Sequence, residues 1–422
     1  MSYVMRGGPK NASSVNQAVP EVSVVIPTRE RAATLGHALR SVTHERSLAL
    51  EIIVCDNASQ DQTEAVVRAN GDPRIRYLRP NRRLSMSANW EFALSHARGE
   101  WVTFIGDDDA LIPGGLVHAL QLAQKFAVPL VRCRPCDYLW PEVAGTRDGR
   151  LAIPVKSRAE VRSGRAWIEK VLAGAEPYTE LPTIYTGGLV RRDLIEKSRG
   201  PDGLFFRSQI PDVYSAVRLA SLEKHYAWSD RPFAVNGASR MSTGMAMIHK
   251  SSDTYKGTPL LLFLQEDNIP LHPKVPPTLA GDPPPCLLAL VYECYLQVQD
   301  IDATLPARSP IQQLESIIRS APSPSADLDR WVEAFAKAND IDTVPRVRRS
   351  WGHKYSTWSK RLRPDRIIIT NNSAPIVVNV YDASRVAARY LEKPRPSAAK
   401  VYVNLGQFVV KSLIAGRALI RT

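Results

Sequence analysis

Three consecutive aspartates, Asp107, Asp108 and Asp109, are the residues of this chain whose type and spacing point most directly to chemistry. They follow the apolar run from Trp101 to Ile105, which predicts a buried strand. Three adjacent carboxylates repel one another, and a divalent cation would offset that repulsion. Mg2+ and Mn2+ prefer carboxylate oxygens and often take phosphates as further ligands. The run therefore predicts a metal site, with a solvated acidic turn as the alternative.

Strands and helices alternate in the sequence before these aspartates. Predicted strands cover residues 22–26, 52–55, 74–78 and 101–105, and Pro27 is expected to break the first of them. Predicted helices begin near Ala32, at Thr63 and at Ser87. This alternation predicts the α/β class, with a Rossmann-like, mostly parallel sheet flanked by helices. In such sheets the carboxyl ends of the strands present functional side chains.

Three segments in order resemble the signatures of glycosyltransferase family 2: VSVVIPTRERAATL, IIVCDNASQDQT and GEWVTFIGDDDALIPGGL. The resemblance is strong over residues 21–120 and looser up to residue 250, where TGGLVRRDLI and IPDVYSAVRLA resemble acceptor-side segments. It implies the GT-A fold, an Asp-X-Asp-type metal motif and Mn2+ or Mg2+ as cofactor. It also implies inverting transfer of a sugar from a UDP or dTDP donor to a glycan or lipid-linked acceptor, in cell-surface polysaccharide synthesis.

The same resemblance assigns donor-binding roles to residues at the ends of the first two strands. Thr28 lies where family members contact the nucleobase. Asp56 and Asn57 occupy the place of a usual pair of aspartates, one of which accepts a proton from the pyrimidine base. Asn57 departs from that pattern, but an amide oxygen can accept the same hydrogen bond, so pyrimidine recognition is still expected. The alternative is an Asx turn that leads into the next helix.

The resemblance also divides roles among the acidic residues. Asp108 aligns with the metal ligand, Asp107 with a contact to donor hydroxyls, and Asp109 with an alternative ligand or a residue behind the ligands. Asp212 aligns with the catalytic base, where Pro211 replaces the glutamate of a frequent Glu-Asp pair. Its role would be to deprotonate the acceptor hydroxyl. The alternative is that Asp212 only occupies the first turn of a helix.

Two further segments are candidates for contacts with the donor. Arg82 and Arg83 stand where small residues are usual in the family, and guanidinium groups suit phosphate geometry. A solvated basic loop is the alternative. The segment from Ser239 to Gly244 is expected to form a loop that closes over the donor, and His249 is a candidate for a late metal or phosphate contact.

Composition favours a cytoplasmic enzyme with a substantial core. The chain has 422 residues, 44% of them hydrophobic. Its five cysteines form no recognisable disulfide framework, and the lone Cys133-x-x-Cys136 lacks a partner at zinc-ligand spacing. Residues 1–20 read as a disordered leader without a signal peptide, and no apolar run reaches transmembrane length.

The sequence predicts three parts after the leader. Residues 21–250 form the GT-A domain, with a nucleotide-binding half (21–120) and an acceptor half (121–250). Residues 270–285 contain seven prolines and predict a linker. Residues 286–422 predict a mainly helical region, in which two β-branched runs around Asn371-Asn372-Ser373 indicate a β-hairpin.

The excess positive charge of the chain is concentrated near its end. Residues 346–422 contain 16 basic and three acidic residues, which accounts for the whole net charge of +13. A basic amphipathic helix in the last 23 residues would lie on an anionic membrane surface, giving peripheral attachment to the inner face of the membrane. Packing on the protein's own core is the alternative. No nucleic-acid-binding motif is present, so a nucleic-acid partner is not expected, and the oligomeric state stays open.

Two alternative functions follow from the same residues. A non-catalytic relative could serve as a scaffold in a polysaccharide assembly complex, because Asn57 and the single Asp212 depart from the family pattern. A sugar nucleotidyltransferase uses a related sheet and metal carboxylates. The Gly-rich phosphate loop followed by lysine that such enzymes carry is missing after the first strand, so this alternative ranks lower.

Overall fold

The structure is a computed structural model that describes residues 19–145, 149–242, 263, 266–279, 281, 283–321, 325–347, 366–369 and 376–392. The strands are β1 (Val22–Thr28), β2 (Leu50–Asp56), β3 (Ile75–Leu78), β4 (Trp101–Phe104), β5 (Ala110–Leu111), β6 (Leu130–Cys133), β7 (Cys136–Leu139), β8 (Arg150–Pro154), β9 (Ala159–Ser163), β10 (Gly188–Arg191), β11 (His225–Ser229), β12 (Ala234–Ala238) and β13 (Arg366–Ile369).

The helices alternate with these strands in the first half and follow one another in the second. They are α1 (Ala32–Thr43), α2 (Thr63–Asn70), α3 (Met86–Leu94), α4 (Gly115–Phe126), α5 (Pro141–Ala144), α6 (Gly164–Leu172), α7 (Arg192–Ser198), α8 (Pro211–Leu222), α9 (Leu287–Gln299), α10 (Pro310–Ser320), α11 (Ala326–Ala338) and α12 (Val380–Glu392). The prediction of an α/β sheet flanked by helices is confirmed, as are the predicted helix starts at Ala32 and Thr63.

The larger sheet has the strand order β3-β2-β1-β4-β10-β6-β11-β9. Its first four strands are parallel, so their carboxyl ends lie along one edge. Strand β10 enters antiparallel between β4 and β6, and β9 pairs antiparallel with β11, so the sheet is mixed beyond β4. The carboxyl-end edge of β1, β2 and β4 carries Thr28, Asp56 and the aspartate run.

The expected break at Pro27 is wrong, because β1 continues through Pro27 to Thr28. Proline lacks the N–H that a central strand normally donates. The backbone groups of Val25 and Pro27 face the same neighbouring strand. That strand is β4, because the carbonyl of Val25 accepts from Ile105 N. The ladder between β1 and β4 ends at Val25 and Phe104, so no ladder bond is required of Pro27. The strand therefore tolerates it.

A second sheet, with the order β13-β8-β7-β12-β5, lies beside the aspartate run. Strand β5 begins directly after Asp109, and β12 pairs antiparallel with it. The predicted hairpin near the end of the chain is wrong. Its first run forms β13, which pairs with β8, whereas Ile376 to Asn379 form no strand and α12 begins at Val380.

The C-terminal helices α9, α10 and α11 confirm the mainly helical prediction for their part of the chain. One hydrophobic cluster contains Val25 of β1, Val213 of α8, Tyr295 of α9 and Phe335 of α11. These helices therefore complete the core of the sheet instead of forming one of their own. The Pro-rich segment packs on them, since Trp331 donates from Nε1 to the carbonyl of Pro276 at 2.8 Å.

Candidate active site

The three aspartates lie at the carboxyl end of β4, and all three are buried. Burial of three adjacent carboxylates requires a donor or counter-charge for each. The structure supplies these from three different directions, because successive side chains after the strand point to different neighbours. The three residues consequently have three different environments.

Asp107 faces the end of β1 and pairs with Arg31. The distance from Arg31 Nη1 to Asp107 Oδ1 is 2.8 Å. Burial raises the pKa of Asp107 to about 6, and Arg31 opposes the rise. Burial lowers the pKa of the Arg31 guanidinium, but the charges of Asp107 and Asp108 raise it by more, so the pKa is raised overall. Arg31 also lies 3.7 Å from Asp108 Oδ2, so a single guanidinium serves two carboxylates.

Asp108 is held by the segment that follows β12. Ser239 donates to Asp108 Oδ2 from Oγ at 2.6 Å and from its backbone N–H at 3.3 Å, and Ser242 Oγ donates to the same oxygen. Every hydrogen bond of the Asp108 carboxylate within the described residues thus falls on Oδ2. The loop expected from Ser239 to Gly244 contacts the site through its first residues, while Gly244 and His249 lie outside the described residues.

Asp109 points away from Asp107 and into the junction of the two sheets. Its Oδ2 accepts from Gly106 N at 2.7 Å and from Thr186 Oγ1, and its Oδ1 accepts from Gly237 N at 2.7 Å. Burial, and then the charge of Asp108, raise the pKa of Asp109 to about 7. Both oxygens therefore already have donors, and Asp109 joins β4, β10 and β12 at the site.

A pocket that is open to solvent adjoins Asp107. Its walls include Thr28, Arg29, Arg31, Trp90, Asp107, Tyr185 and Phe263. The structure thus brings the predicted residues Thr28 and Asp107 into one concave surface at the carboxyl-end edge of the sheet.

Asp56 and Asn57 are buried at the end of β2, and neither is among the described residues that line this pocket. Asp56 accepts from Ser59 N, Tyr77 Oη and Arg79 Nη1, the last at 2.7 Å. The amide of Asn57 donates to the carbonyl of Leu84 and accepts from its N–H, both at 2.8 Å. The oxygen that the sequence assigns to the nucleobase is thus paired with Leu84. Base recognition by Asn57 stays a prediction.

The two arginines expected to contact phosphate are not among the described residues that line this pocket. Arg82 is exposed, and Arg83 Nη2 pairs with Glu30 Oε1 at 2.5 Å. The arginines that line the pocket are instead Arg29 and Arg31. Their signal in the sequence is the run Arg29-Glu30-Arg31, placed directly after a strand that ends at the functional edge.

Asp212 lies in the first turn of α8, as predicted, with Pro211 at the helix start. Tyr178 Oη donates to Asp212 Oδ2 at 2.7 Å, and Thr183 Oγ1 donates to the Asp212 carbonyl at 3.2 Å. Burial raises the pKa of Asp212, and the hydrogen bond from Tyr178 opposes that rise. Tyr185, two residues from Thr183, bridges to Phe104 and lines the pocket. Asp212 itself is not among the described residues that line the pocket.

Part of the chain matches a known protein family. Residues 23–158 match the family model "Glycosyl transferase family 2". This match and the relatives below support glycosyltransferase family 2 for this part of the chain. The matched range contains β1 to β8 and all three aspartates.

Two relatives illustrate the extent of the similarity. The GalNAc(5)-diNAcBac-PP-undecaprenol beta-1,3-glucosyltransferase of Campylobacter jejuni is 38% identical over 110 residues, which are 25% of this chain and 36% of the relative. Uncharacterized protein MT1568 of Mycobacterium tuberculosis is 35% identical over 178 residues, which are 40% of this chain and 54% of the relative. The chain thus spans from about a third to about half the length of these relatives.

Among solved structures, S. aureus TarS 1–349 in complex with UDP-GlcNAc aligns with a TM-score of 0.47 and 13% identity, over 77% of this chain and 82% of that one. The mannosyltransferase PcManGT from Pyrobaculum calidifontis, in complex with GDP-Man and Mn2+, aligns with a TM-score of 0.40 and 17% identity, over 89% of each chain. Within the described residues, no helix is both long enough and apolar enough to cross a membrane.

Proposed function

We propose that this protein is an inverting glycosyltransferase that moves a sugar from a nucleoside-diphosphate donor to a glycan or lipid-linked acceptor in polysaccharide synthesis. The observation that carries the proposal is the pocket at the carboxyl ends of β1 and β4, with Asp107 in its wall and Asp108 beside Arg31. The family match over residues 23–158 supports the reaction class. The C. jejuni relative is named for a substrate linked to undecaprenol through PP, which supports a lipid-linked acceptor.

The balance of charge around the pocket favours a divalent cation together with the donor. Arg29 and Arg31 face three carboxylates, those of Asp107, Asp108 and Glu266. A diphosphate would add further negative charge to a site that already has more acidic than basic groups. A hard divalent cation such as Mn2+ or Mg2+ would neutralise the diphosphate and stabilise it as the leaving group.

The residues present fit such a cation through a small number of protein ligands. Within the described residues, no group of three His, Cys, Asp or Glu side chains is arranged to hold a metal. Mg2+ commonly keeps several waters and takes one or two carboxylates plus phosphates. Asp108 would hold the cation through Oδ1, because its hydrogen bonds within the described residues fall on Oδ2. Asp109 is the weaker candidate, since both of its oxygens accept hydrogen bonds.

Arg31 and Asp212 have separate tasks in this proposal. Arg31 holds Asp107 and Asp108 in place beside the pocket. Asp212 accepts the proton of the acceptor hydroxyl. Tyr178 donates to Oδ2 of Asp212, while burial raises the pKa of the carboxyl and so makes the carboxylate a stronger base.

The test measures thermal stabilisation by nucleoside diphosphates and their sugars, with UDP and dTDP compounds first, in Mn2+, in Mg2+ and in chelator. We expect stabilisation that requires the cation and is lost in Asp108→Asn. Hydrolysis of the bound donor should fall by roughly 100- to 10,000-fold in Asp212→Asn while donor binding persists. A folded protein that no such compound stabilises would contradict the proposal and favour the scaffold function.

A further inference from the structure

We infer that Arg29 is a ligand-binding residue that takes an anionic oxygen of the donor's diphosphate. The inference rests on the proposed function and adds to it a residue that neither the sequence motifs nor the family match assigns. Arg29 lies at the position directly after β1, next to Thr28, and lines the pocket. Its side chain is only 2% exposed.

The guanidinium of Arg29 has incomplete hydrogen bonding. Nη2 donates to Glu266 Oε1 at 2.8 Å. The guanidinium carbon Cζ lies over the Phe263 ring, 4.8 Å from the ring centroid. Within the described part of the chain, Nε and Nη1 are buried and have no acceptor. A buried donor without a partner costs about 1–3 kcal/mol, and more where the group is charged. Such donors in a pocket wall call for an acceptor that arrives with the ligand.

Phosphate oxygens satisfy this requirement best. Hydrogen bonds between guanidinium and phosphate are charge-assisted and roughly twice as strong as neutral ones. The contacts with Phe263 and Glu266 hold Arg29 in one orientation, so little conformational entropy is lost when the ligand binds. Arg83 pairs with Glu30 and, unlike Arg29, is not among the described residues that line the pocket. Arg29 is therefore the fixed cation of the pocket, while Arg31 is engaged with Asp107 and Asp108.

Binding of three probes separates this role from its alternatives. We would measure the affinity of the full chain for UDP, uridine and inorganic pyrophosphate by calorimetry in Mn2+. In Arg29→Gln we expect a loss of about 10- to 100-fold for UDP and for pyrophosphate. Uridine affinity should change less than about twofold, because uridine has no phosphate. Arg29→Lys should recover part of the loss, since lysine keeps the charge but offers a different donor geometry.

Arg218→Gln is the matched control. Its guanidinium is also buried, with 7% side-chain exposure, but it is bonded to the Ser198 carbonyl and paired with Asp302, away from the pocket. We expect this variant to lower the unfolding temperature and to leave UDP affinity unchanged, whereas Arg29→Gln should lower affinity in a folded protein.

The outcomes distinguish failure of this inference from failure of the proposed function. If the unaltered protein binds UDP and Arg29→Gln binds it with an affinity within about twofold, the inference alone is overturned. An equal loss of uridine and UDP affinity would place Arg29 against the base and would also overturn it. A folded, unaltered protein that binds neither UDP nor pyrophosphate would reject both the inference and the proposed function.

Discussion

At the scale of single residues, the aspartate run has three separate tasks. Asp107 pairs with Arg31, Asp108 is oriented by Ser239 and Ser242, and Asp109 joins the two sheets. The sequence showed the charge repulsion but not how it is relieved. Part of the relief comes from an arginine and from hydroxyl and backbone N–H donors, all within the protein.

Asp109→Asn should destabilise the protein. Oδ1 and Oδ2 of Asp109 each accept from a backbone N–H, those of Gly237 and Gly106. An asparagine has one amide oxygen, so its NH2 group must face one of these N–H groups. We expect a loss of about 1–3 kcal/mol in the free energy of unfolding. Denaturant unfolding measures it, with the exposed Asp193→Asn as the control; equal stability of the two variants would show that Asp109 has no structural role.

Tyr178→Phe should move the acid limb of the pH–rate profile to higher pH. The hydrogen bond from Tyr178 lowers the pKa of Asp212 against the effect of burial, so its removal raises that pKa further. The base must be ionised to accept a proton, so activity at low pH falls. We expect the acid limb of the kcat profile to move to higher pH, with little change at the plateau.

Tyr226→Phe is the control for that measurement. Tyr226 is also a buried tyrosine, but its hydroxyl donates to the backbone carbonyl of Glu180 and not to Asp212. Its pH–rate profile should match that of the unaltered protein. Profiles of Tyr178→Phe and Tyr226→Phe that coincide would remove Asp212 from the role of base.

At the scale of elements, strand β12 positions the aspartate run. An added Cβ at Gly237 would lie 1.8 Å from the carbonyl oxygen of Asp108, which is closer than two non-bonded heavy atoms can approach. Gly237 is therefore required for β12 to approach Asp108, and its own N–H reaches Asp109. The close approach of two backbones is the reason that this strand carries a glycine.

Gly237→Ala should lower both the unfolding temperature and donor binding, because β12 must move away from Asp108 and Asp109. Gly36→Ala, within α1, is the matched control. There the nearest atom to an added Cβ is Val66 Cγ1 at 3.4 Å, and alanine favours a helix over glycine by roughly 0.5–1 kcal/mol. We expect Gly36→Ala to be neutral or stabilising, as measured by circular dichroism. If Gly237→Ala is as stable and binds the donor as well as Gly36→Ala, the positioning role of β12 is refuted.

The parts of this site that could be predicted from the sequence are those set by local patterns. The apolar runs of β1, β2 and β4 are continuous, so the strands and the residues at their ends follow from the sequence alone. Ser239 and Gly237 contact the aspartates across more than 120 residues of chain, and no local pattern indicates such a pairing. The break at Pro27 and the hairpin near the end of the chain were mispredicted for a similar reason. In both cases the neighbouring strands in the sheet decide whether the segment forms a strand.

At the scale of the whole molecule, the C-terminal helices share a core with the sheet. The fully buried Trp331 packs against Phe335 with ring centroids 5.3 Å apart, and the same hydrophobic cluster extends to Val25. The predicted domain boundaries stay a proposal. The predicted leader and membrane-binding tail fall almost entirely outside the described residues and also stay predictions.

Trp331→Ala should destabilise the sheet together with the helices. Removal of a buried tryptophan costs about 3–5 kcal/mol, and the hydrogen bond to the Pro276 carbonyl is lost with it. Because the core is shared, far-UV circular dichroism and tryptophan fluorescence should report one urea transition, moved as a whole to lower urea. Two transitions, with only one affected by the substitution, would show that the C-terminal helices fold independently.

The long-range hydrogen bonds of the aspartate run also have a consequence for synthesis on the ribosome. Asp109 contacts Thr186, 77 residues later in the chain, and Asp108 contacts Ser242, 134 residues later. Chains are made from the N-terminus, so the three carboxylates leave the ribosome long before these donors exist. The stretch that resembles the family is thus translated before β12, yet Asp108 and Asp109 of the nascent chain cannot gain these protein donors until β12 and Ser242 have also emerged.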